Sequence, residues 1–312
     1  MTKLVVVIIN WNTRDLTRNC LQTLFPELEG MESEVWVVDN GSTDDSVEMI
    51  KKEFPTIKLI PNKENVGFAR ANNQVLREAA GEYYLLLNTD TLIPAGSIKA
   101  LVDCLDNNQE AAAVGPRLKN AAGAVERPLK PLPTLSGELR YCLATHFFPL
   151  NGLFRFLFGR RRTDWTKLTE PTAAEVLSAA CLLIRKAVVD RIGFLAEDYF
   201  LFSEENDYFY RMRQAGFKGF YLPSAEIVHL IGMSRKKRGR TDSEVNFFRS
   251  RMHFFHKFHR NTIFMFKSIY AFFFCWSYLM AGIFRIIRTG QENEDFAVYS
   301  ALLKTLWKGG RV

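Results

Sequence analysis

The chain has 312 residues, 47% of them hydrophobic and 24% charged, which suits a large α/β domain with an appendage and excludes a disordered chain. Its five cysteines are irregularly spaced and include no CxxC pair, so neither a disulfide framework nor a zinc site is expected, and a reducing compartment follows. The net charge of +7 is unevenly divided: residues 1–110 hold 10 Lys+Arg against 17 Asp+Glu, whereas residues 231–312 hold 15 against 5.

Lys3 to Asn10 is a continuous apolar run, the pattern of a strand buried on both faces, and without a charged leader or cleavage site it is no secretory signal. Asn12 or Thr13 caps a helix carrying Leu16, Cys20, Leu21 and Leu24 on one stripe. Val35 to Asp39 is a second strand, followed by a helix with Asp44 and Asp45 in its first turn. A third strand at 57–60, a helix at 67–80, a fourth strand at 83–87, a helix at 96–106 and a strand at 112–115 continue the alternation. This rhythm predicts a Rossmann-like, mostly parallel sheet flanked by helices. Residues 119–172 carry five of the 11 prolines and the run Arg160-Arg161-Arg162, and are expected to form loops and short helices. Regular structure is expected again as a strand at 175–185, a helix at 204–215 stopped by Gly216, and two short strands at 219–222 and 226–230.

In an open α/β sheet, ligands bind beyond the carboxyl ends of the strands. That singles out Asn10-Trp11-Asn12 after the first strand, Asp39 after the second and Asn88-Thr89-Asp90 after the fourth. The first strand–helix turn lacks GxGxxG and the chain lacks GxxxxGK[ST], which argues against a dinucleotide oxidoreductase or a P-loop enzyme. Acids at strand ends without phosphate-cradling glycines suggest that a carboxylate holds a divalent cation and the cation a diphosphate. Singly, each signal has a plain structural alternative: Asp90 as a turn cap, and Asp39-Asn40-Gly41-Ser42 as an Asx-Gly turn.

Taken in register, Val7 to Asn12, Val37 to Asp44, Asn65 to Asn73 and Leu86 to Thr91 closely resemble the family 2 glycosyltransferases, and among them the rhamnosyltransferase-like branch of bacterial surface polysaccharide synthesis. Order and spacing match over about residues 3–118 and resume over about 175–260. The resemblance implies a GT-A fold, a nucleotide-diphosphate sugar donor with dTDP-rhamnose favoured, Mg²⁺ or Mn²⁺, inversion at the anomeric carbon, and a glycan or lipid-linked acceptor. By motif it makes Asp39 the nucleobase contact, with Asn10 and Ser42 in the same pocket. Gly67, Arg70 and Asn72 would close over the ribose and diphosphate. Asn88 and Thr89 lead into Asp90, the metal-binding last residue of the family's DxD, whose first acid is Asn here.

Phe200 to Arg211 resembles the family's Glu-Asp-x-Asp segment, which puts the general base on Glu205, a Glu in place of Asp. Glu204 and Asp207 remain candidates, and an acidic helix N-terminus without a catalytic role is the plain alternative. The resemblance makes His229 a metal ligand opposite Asp90, against the alternative of a core histidine. Ser178 to Cys181 matches the small-residue strand of the acceptor pocket, and Cys181 has no neighbouring base that would make it a nucleophile. The chain is accordingly divided into a nucleotide-sugar-binding half (1–118), an acceptor-binding half (119–230) and a C-terminal helical membrane-associated extension (231–312).

That extension holds the run Arg235-Lys236-Lys237-Arg238-Gly239-Arg240 and an apolar, aromatic stretch from Ile263 to Phe284 with one charge, Lys267. Its length is borderline for a bilayer span, and its aromatics suit a helix lying in the interface or a buried core helix. Monotopic attachment to the cytoplasmic face of a bacterial inner membrane is the favoured expectation. The acids at 39, 90 and 205 favour an enzyme over a catalytically inactive scaffold of the same fold in a membrane biosynthetic complex. No nucleic-acid partner is expected, because no recognised binding motif accompanies the basic tail. Self-association is left open.

Overall fold

The computed structural model describes residues 2–126, 129–147, 149–159, 167–230, 239–287 and 294–307. Its strands are β1 (Thr2–Asn10), β2 (Ser33–Asp39), β3 (Lys58–Pro61), β4 (Gly81–Asn88), β5 (Thr91–Leu92), β6 (Ala111–Lys119), β7 (Thr172–Ala174), β8 (Cys181–Arg185) and β9 (Lys218–His229). Its helices begin with α1 (Arg14–Leu24), α2 (Ser46–Glu53), α3 (Phe68–Glu78) and α4 (Ser97–Asn107). They continue with α5 (Leu135–His146), α6 (Asn151–Gly159), α7 (Lys186–Ile192) and α8 (Glu204–Gln214), and end with α9 (Arg240–Phe258), α10 (Ile263–Ile287) and α11 (Glu294–Trp307). Two compact units result: Met1–Leu132 with Asp164–Glu197 and Glu204–Ser234, and Pro133–Thr163 with Asp198–Ser203 and Arg235–Val312. These units interleave along the chain, whereas boundaries at 118 and 230 are successive.

The first unit is built on a sheet of order β3-β2-β1-β4-β8-β6-β9-β5, with β7 also paired to β9. From β3 to β4 every pairing is parallel, as the alternation of strands and helices requires. Leu4, Val6 and Ile8 of β1 are fully buried and pack in one core with Cys20 and Leu21 of α1. Beyond β4 the sheet is mixed: β8 runs antiparallel to both β4 and β6, while β9 is parallel to β6 and antiparallel to β5 and β7. The strand expected over 175–185 is shorter, because an isolated bridge at Val176 and a turn at Ala179-Ala180 precede β8. The two strands expected at 219–222 and 226–230 form one, β9, whose register against β6 slips between Leu222 and Glu226. Pro223 interrupts the pattern without ending the strand, as a bulge does.

In the second unit, α10 turns one stripe inward: Phe266, Tyr270, Phe273, Phe274, Ser277 and Ala281 are buried. The Tyr270 hydroxyl donates to the buried Glu138 carboxylate of α5 at 2.6 Å, and the Arg251 guanidinium of α9 stands 3.3 Å from the same group. His146 lies among Tyr141, Phe274 and Tyr299, and burial pushes its imidazole down to about 4. The opposite stripe of α10 is exposed and apolar, with Phe264, Met265, Phe272, Leu279 and Ile283. Leu153, Phe156, Leu157 and Phe158 of α6 are exposed as well. The Phe147 ring links the two helices, 6.0 Å from Phe154 and 6.3 Å from Phe272. Residues 260–283 are long and apolar enough to cross a membrane by length and composition. The runs Arg160–Arg162 and Arg235–Arg238 lie outside the described residues.

Candidate active site

Parallel register aligns the first set of candidates. Asn10 is paired with Asp39 across β1 and β2, and Ile9 with Asn88 across β1 and β4, so these polar residues share the carboxyl edge of the sheet. Asn10 is fully buried and its amide is saturated. It donates to Asp39 Oδ1 at 2.6 Å and to Ser42 Oγ at 3.0 Å, and accepts from Thr13 and Thr17, each at 2.7 Å. The second Asp39 oxygen accepts from the Ser42 backbone N–H at 2.9 Å. Asn10 therefore orients Asp39 and Ser42. Asn12, with a left-handed φ of 54°, donates its backbone N–H to Ser42 Oγ and accepts from the Thr43 N–H, closing the turn.

Gly41 has a φ of +74°, and a Cβ there would stand 2.9 Å from the Glu64 Cα. The 40–43 turn and the 62–67 loop are thus in direct backbone contact, braced by Asn40 Nδ2 donating to the Gly67 carbonyl at 3.3 Å. Gly67 itself takes a φ of +87° ahead of α3, a conformation open to glycine. Arg70 is exposed, 3.5 Å from the Glu197 carboxylate. Asn72 is fully buried: its amide donates to the Phe68 carbonyl, and its Oδ1 has no hydrogen-bond partner among the described residues.

The second set of candidates follows β4. The Asn88 backbone N–H donates to the Ala180 carbonyl at 2.9 Å and its carbonyl accepts from the Thr91 hydroxyl at 2.7 Å. The Thr89 and Thr13 hydroxyls stand 3.0 Å apart, tying this turn to the Asn10 network. Pairing of β5 with β9 sets Thr91 opposite His229 and brings His229 Nε2 to 3.3 Å from Asp90 Oδ1. The other ring nitrogen, Nδ1, lies 3.0 and 3.3 Å from the two oxygens of Glu126. Burial lowers the His229 pKa, but the hydrogen bonds and charges of Asp90 and Glu126 outweigh it and push it up to about 9. Glu126 was not legible as a site residue: 103 positions separate it from His229, and no motif contains it.

The donor chemistry at Asp90 and His229 fits a divalent cation. One carboxylate oxygen and one imidazole nitrogen, 3.3 Å apart, stand as adjacent ligands do on one ion with bonds of about 2.0–2.2 Å. Among the described residues no three His, Cys, Asp or Glu side chains converge to cage a metal. A two-residue protein contribution is the arrangement in which substrate phosphates complete the shell.

The three acids at the start of α8 differ sharply. Asp207 is fully buried and ion-paired at 2.6 Å with Arg211, whose guanidinium also donates to the Ile192 and Phe194 carbonyls. This is a structural clamp one helical turn long. Glu204 is buried, and burial first, then the Glu205 charge, pushes its carboxyl up to about 8. Glu205 keeps a partly accessible side chain, 3.6 Å from the Lys130 ammonium. Lys130, like Glu126, carried no sequence signal.

A family model described as "Glycosyl transferase family 2" matches residues 5–193. The chain belongs to glycosyltransferase family 2. This glycosyltransferase is 30% identical over 213 residues to the N-acetylglucosaminyl-diphospho-decaprenol L-rhamnosyltransferase of Mycobacterium tuberculosis, covering 62% of the chain and 66% of that relative. It spans just under two thirds of the length of that relative. It is also 26% identical over 215 residues to the low-salt glycan biosynthesis hexosyltransferase Agl10 of Haloferax volcanii, covering 68% of the chain and 62% of the relative. Among solved structures, the mannosyltransferase PcManGT of Pyrobaculum calidifontis, in complex with GDP-Man and Mn²⁺, superposes with a TM-score of 0.55 at 17% identity, covering 99% of this chain and 74% of that one. GalNAc-T7 with UDP, GalNAc and Mn²⁺ superposes at 0.53 and 14% identity, covering 73% and 43%. Both likenesses give the glycosyltransferase a GT-A fold.

Proposed function

We propose that this glycosyltransferase moves a sugar, with inversion, from a nucleoside-diphosphate donor to a lipid-linked glycan, with Glu205 as general base. The observation that carries the assignment is the contrast among the three acids of α8: Asp207 is held by Arg211, Glu204 is buried, and Glu205 alone is both accessible and beside a cation. In the reaction the acceptor hydroxyl oxygen bonds to the anomeric carbon from the face opposite the diphosphate. Glu205 takes the hydroxyl proton as that bond forms, and the bond to the diphosphate breaks with its electron pair leaving on the phosphate oxygen. The Lys130 ammonium stands 3.6 Å from this carboxylate.

Asp39, oriented by Asn10, accepts from the nucleobase or ribose, with Ser42 beside it. Gly67, Arg70 and Asn72 border the ribose and diphosphate, on the segment that opens α3. Asp90 and His229 hold Mg²⁺ or Mn²⁺, which when bound neutralises charge on the departing diphosphate. The rhamnosyltransferase name of the M. tuberculosis relative favours dTDP-rhamnose as donor and a polyprenyl-diphosphate-linked sugar as acceptor. The test is nucleotide release with Mn²⁺ against a panel of nucleotide sugars; release from no donor, with or without a lipid-linked acceptor, would leave the inactive scaffold as the better reading.

Attachment to the cytoplasmic face of a membrane, lying on it and not crossing it, completes the reading. The inward stripe of α10 contacts a buried carboxylate and guanidinium, Glu138 and Arg251, which suits a helix packed in protein on one side. Its outward stripe and α6 present Phe, Leu, Met and Ile to the outside, as an interfacial surface does. The excess of ten positive charges over residues 231–312 complements anionic lipid.

A further inference from the structure

We propose that Glu126 is the positioning residue of the metal site, fixing the tautomer and ring orientation of His229. This rests on reading Asp90 and His229 as the metal pair. An imidazole has two nitrogens, and a carboxylate facing one of them requires an N–H there. Glu126 faces Nδ1 with both oxygens, at 3.0 and 3.3 Å, so Nδ1 carries hydrogen and Nε2, 3.3 Å from Asp90, is the nitrogen left for a metal. A positive charge belongs between Nε2 and the Asp90 oxygen: a proton while no metal is bound, and the cation in its place when one is. A carboxylate behind a ligating histidine is the arrangement that orients the ring and raises its donor strength.

The backbone makes this orientation rigid from both sides. Glu126 is the far end of a tight hairpin arm: its N–H donates to the Leu118 carbonyl at 2.9 Å, and Lys119 bridges to Val125. The turn between is closed by Asn120, whose side-chain oxygen accepts the N–H groups of Ala122 and Ala124. His229 is fixed independently by its pairing with Thr91, and the Leu230 N–H donates to the Asp90 carbonyl at 2.7 Å. The imidazole is therefore held between two carboxylates delivered by separate segments, the turn after β4 and the arm that folds back on β6.

The test is Mn²⁺ binding to the full chain, followed by the loss of the free-ion electron paramagnetic resonance signal, for wild type, Glu126→Ala, Glu126→Gln, His229→Ala and the double variant Glu126→Ala/His229→Ala. Glu126→Ala should weaken Mn²⁺ binding about 10–100-fold and diminish the ¹⁴N modulation that a bound imidazole gives. Glu126→Gln, whose amide oxygen still accepts from Nδ1–H, should recover much of both. In the His229→Ala background Glu126→Ala should add nothing, since its effect runs through the ring. If His229→Ala weakens binding while Glu126→Ala does not, or if the two losses add in full, Glu126 has no positioning role. If His229→Ala itself leaves the affinity unchanged, the reading of His229 as a ligand fails and Glu126 falls with it. Thermal melting of Glu126→Gln separates a folding defect from either result.

Discussion

The two compact units bury and expose opposite kinds of side chain. In the first, polar groups are buried at the strand ends, with Asn10, Asp39, Thr89 and Asp90 all nearly inaccessible. In the second, every exposed large apolar side chain among the described residues is to be found, from Leu139 through Phe156 and Phe264 to Trp307. A buried polar cluster is unfavourable unless it is hydrogen-bonded, as this one is, and a bared apolar surface unless something covers it. The contrast teaches that the proposed ligand chemistry and the proposed attachment belong to different parts of the chain, and so they should fail separately.

The largest expected effect tests the first part. Asp90→Ala should abolish Mn²⁺-dependent donor binding in calorimetry yet leave sedimentation with anionic vesicles unchanged; equal donor affinity in the variant would remove Asp90 from the metal site. Glu205→Gln should lower turnover by roughly 10²–10⁴-fold with donor affinity nearly intact. Should Glu204→Gln or Asp207→Asn show that loss in its place, the base belongs to the neighbour. On the other side, Phe264→Ser with Leu279→Ser should weaken vesicle binding by roughly 10²-fold, at about 1.5 kcal/mol for each side chain withdrawn from lipid. Turnover on a water-soluble acceptor should not change, and vesicle binding that survives would move the attachment surface elsewhere. Asp39→Ala should cost about 1–3 kcal/mol in binding, equally for free nucleoside diphosphate and for the intact donor. A loss confined to the intact donor would put Asp39 near the sugar.

The smallest effect is in pH, and the units should differ in sign. Glu204 is pushed up to about 8 from 4.5, so between those values the folded chain holds a proton that the unfolded chain has released. Stability from this group therefore falls as pH rises from about 5 to 8. His146 is pushed down to about 4 from 6.5, so there the unfolded chain binds the extra proton, and stability falls as pH drops from about 6.5 to 4. Melting temperature against pH should flatten on the alkaline side in Glu204→Gln and on the acid side in His146→Gln. Unaltered profiles would show that these groups are more solvated than their surroundings imply.

Legibility followed the same division. β1, β2 and β4 announce themselves because strands buried on both faces are written as unbroken apolar runs, and the polar residue ending each run marks the site directly. The antiparallel part was less readable: β8 is only five residues long, and Pro223 splits the pattern of β9 although its bulge keeps the strand whole. Residues 119–172 read as loops and short helices, and α5 and α6 are such helices; their bounds were not legible, because their apolar residues show no clean polar face. Glu126 and Lys130 were invisible for another reason. Their partners, His229 and Glu205, are far away in sequence, and a lone charged residue in a Pro-containing loop carries no periodicity.

One feature of the donor side bears on how this enzyme is to be re-engineered. Because a Cβ at position 41 would meet the Glu64 backbone at 2.9 Å, and because the φ of +74° there suits glycine, no other amino acid fits without separating two loops. A mutagenesis library aimed at a new nucleotide should therefore keep glycine at 41. Diversity at Ser42, Thr43, Asn62 and Asn65 should keep hydrogen-bonding side chains, since Asn62 and Asn65 bond Asn40 across that contact and Ser42 and Thr43 bond Asn12 within the turn. Randomising 41 together with them would fill the library with chains whose nucleotide pocket never assembles.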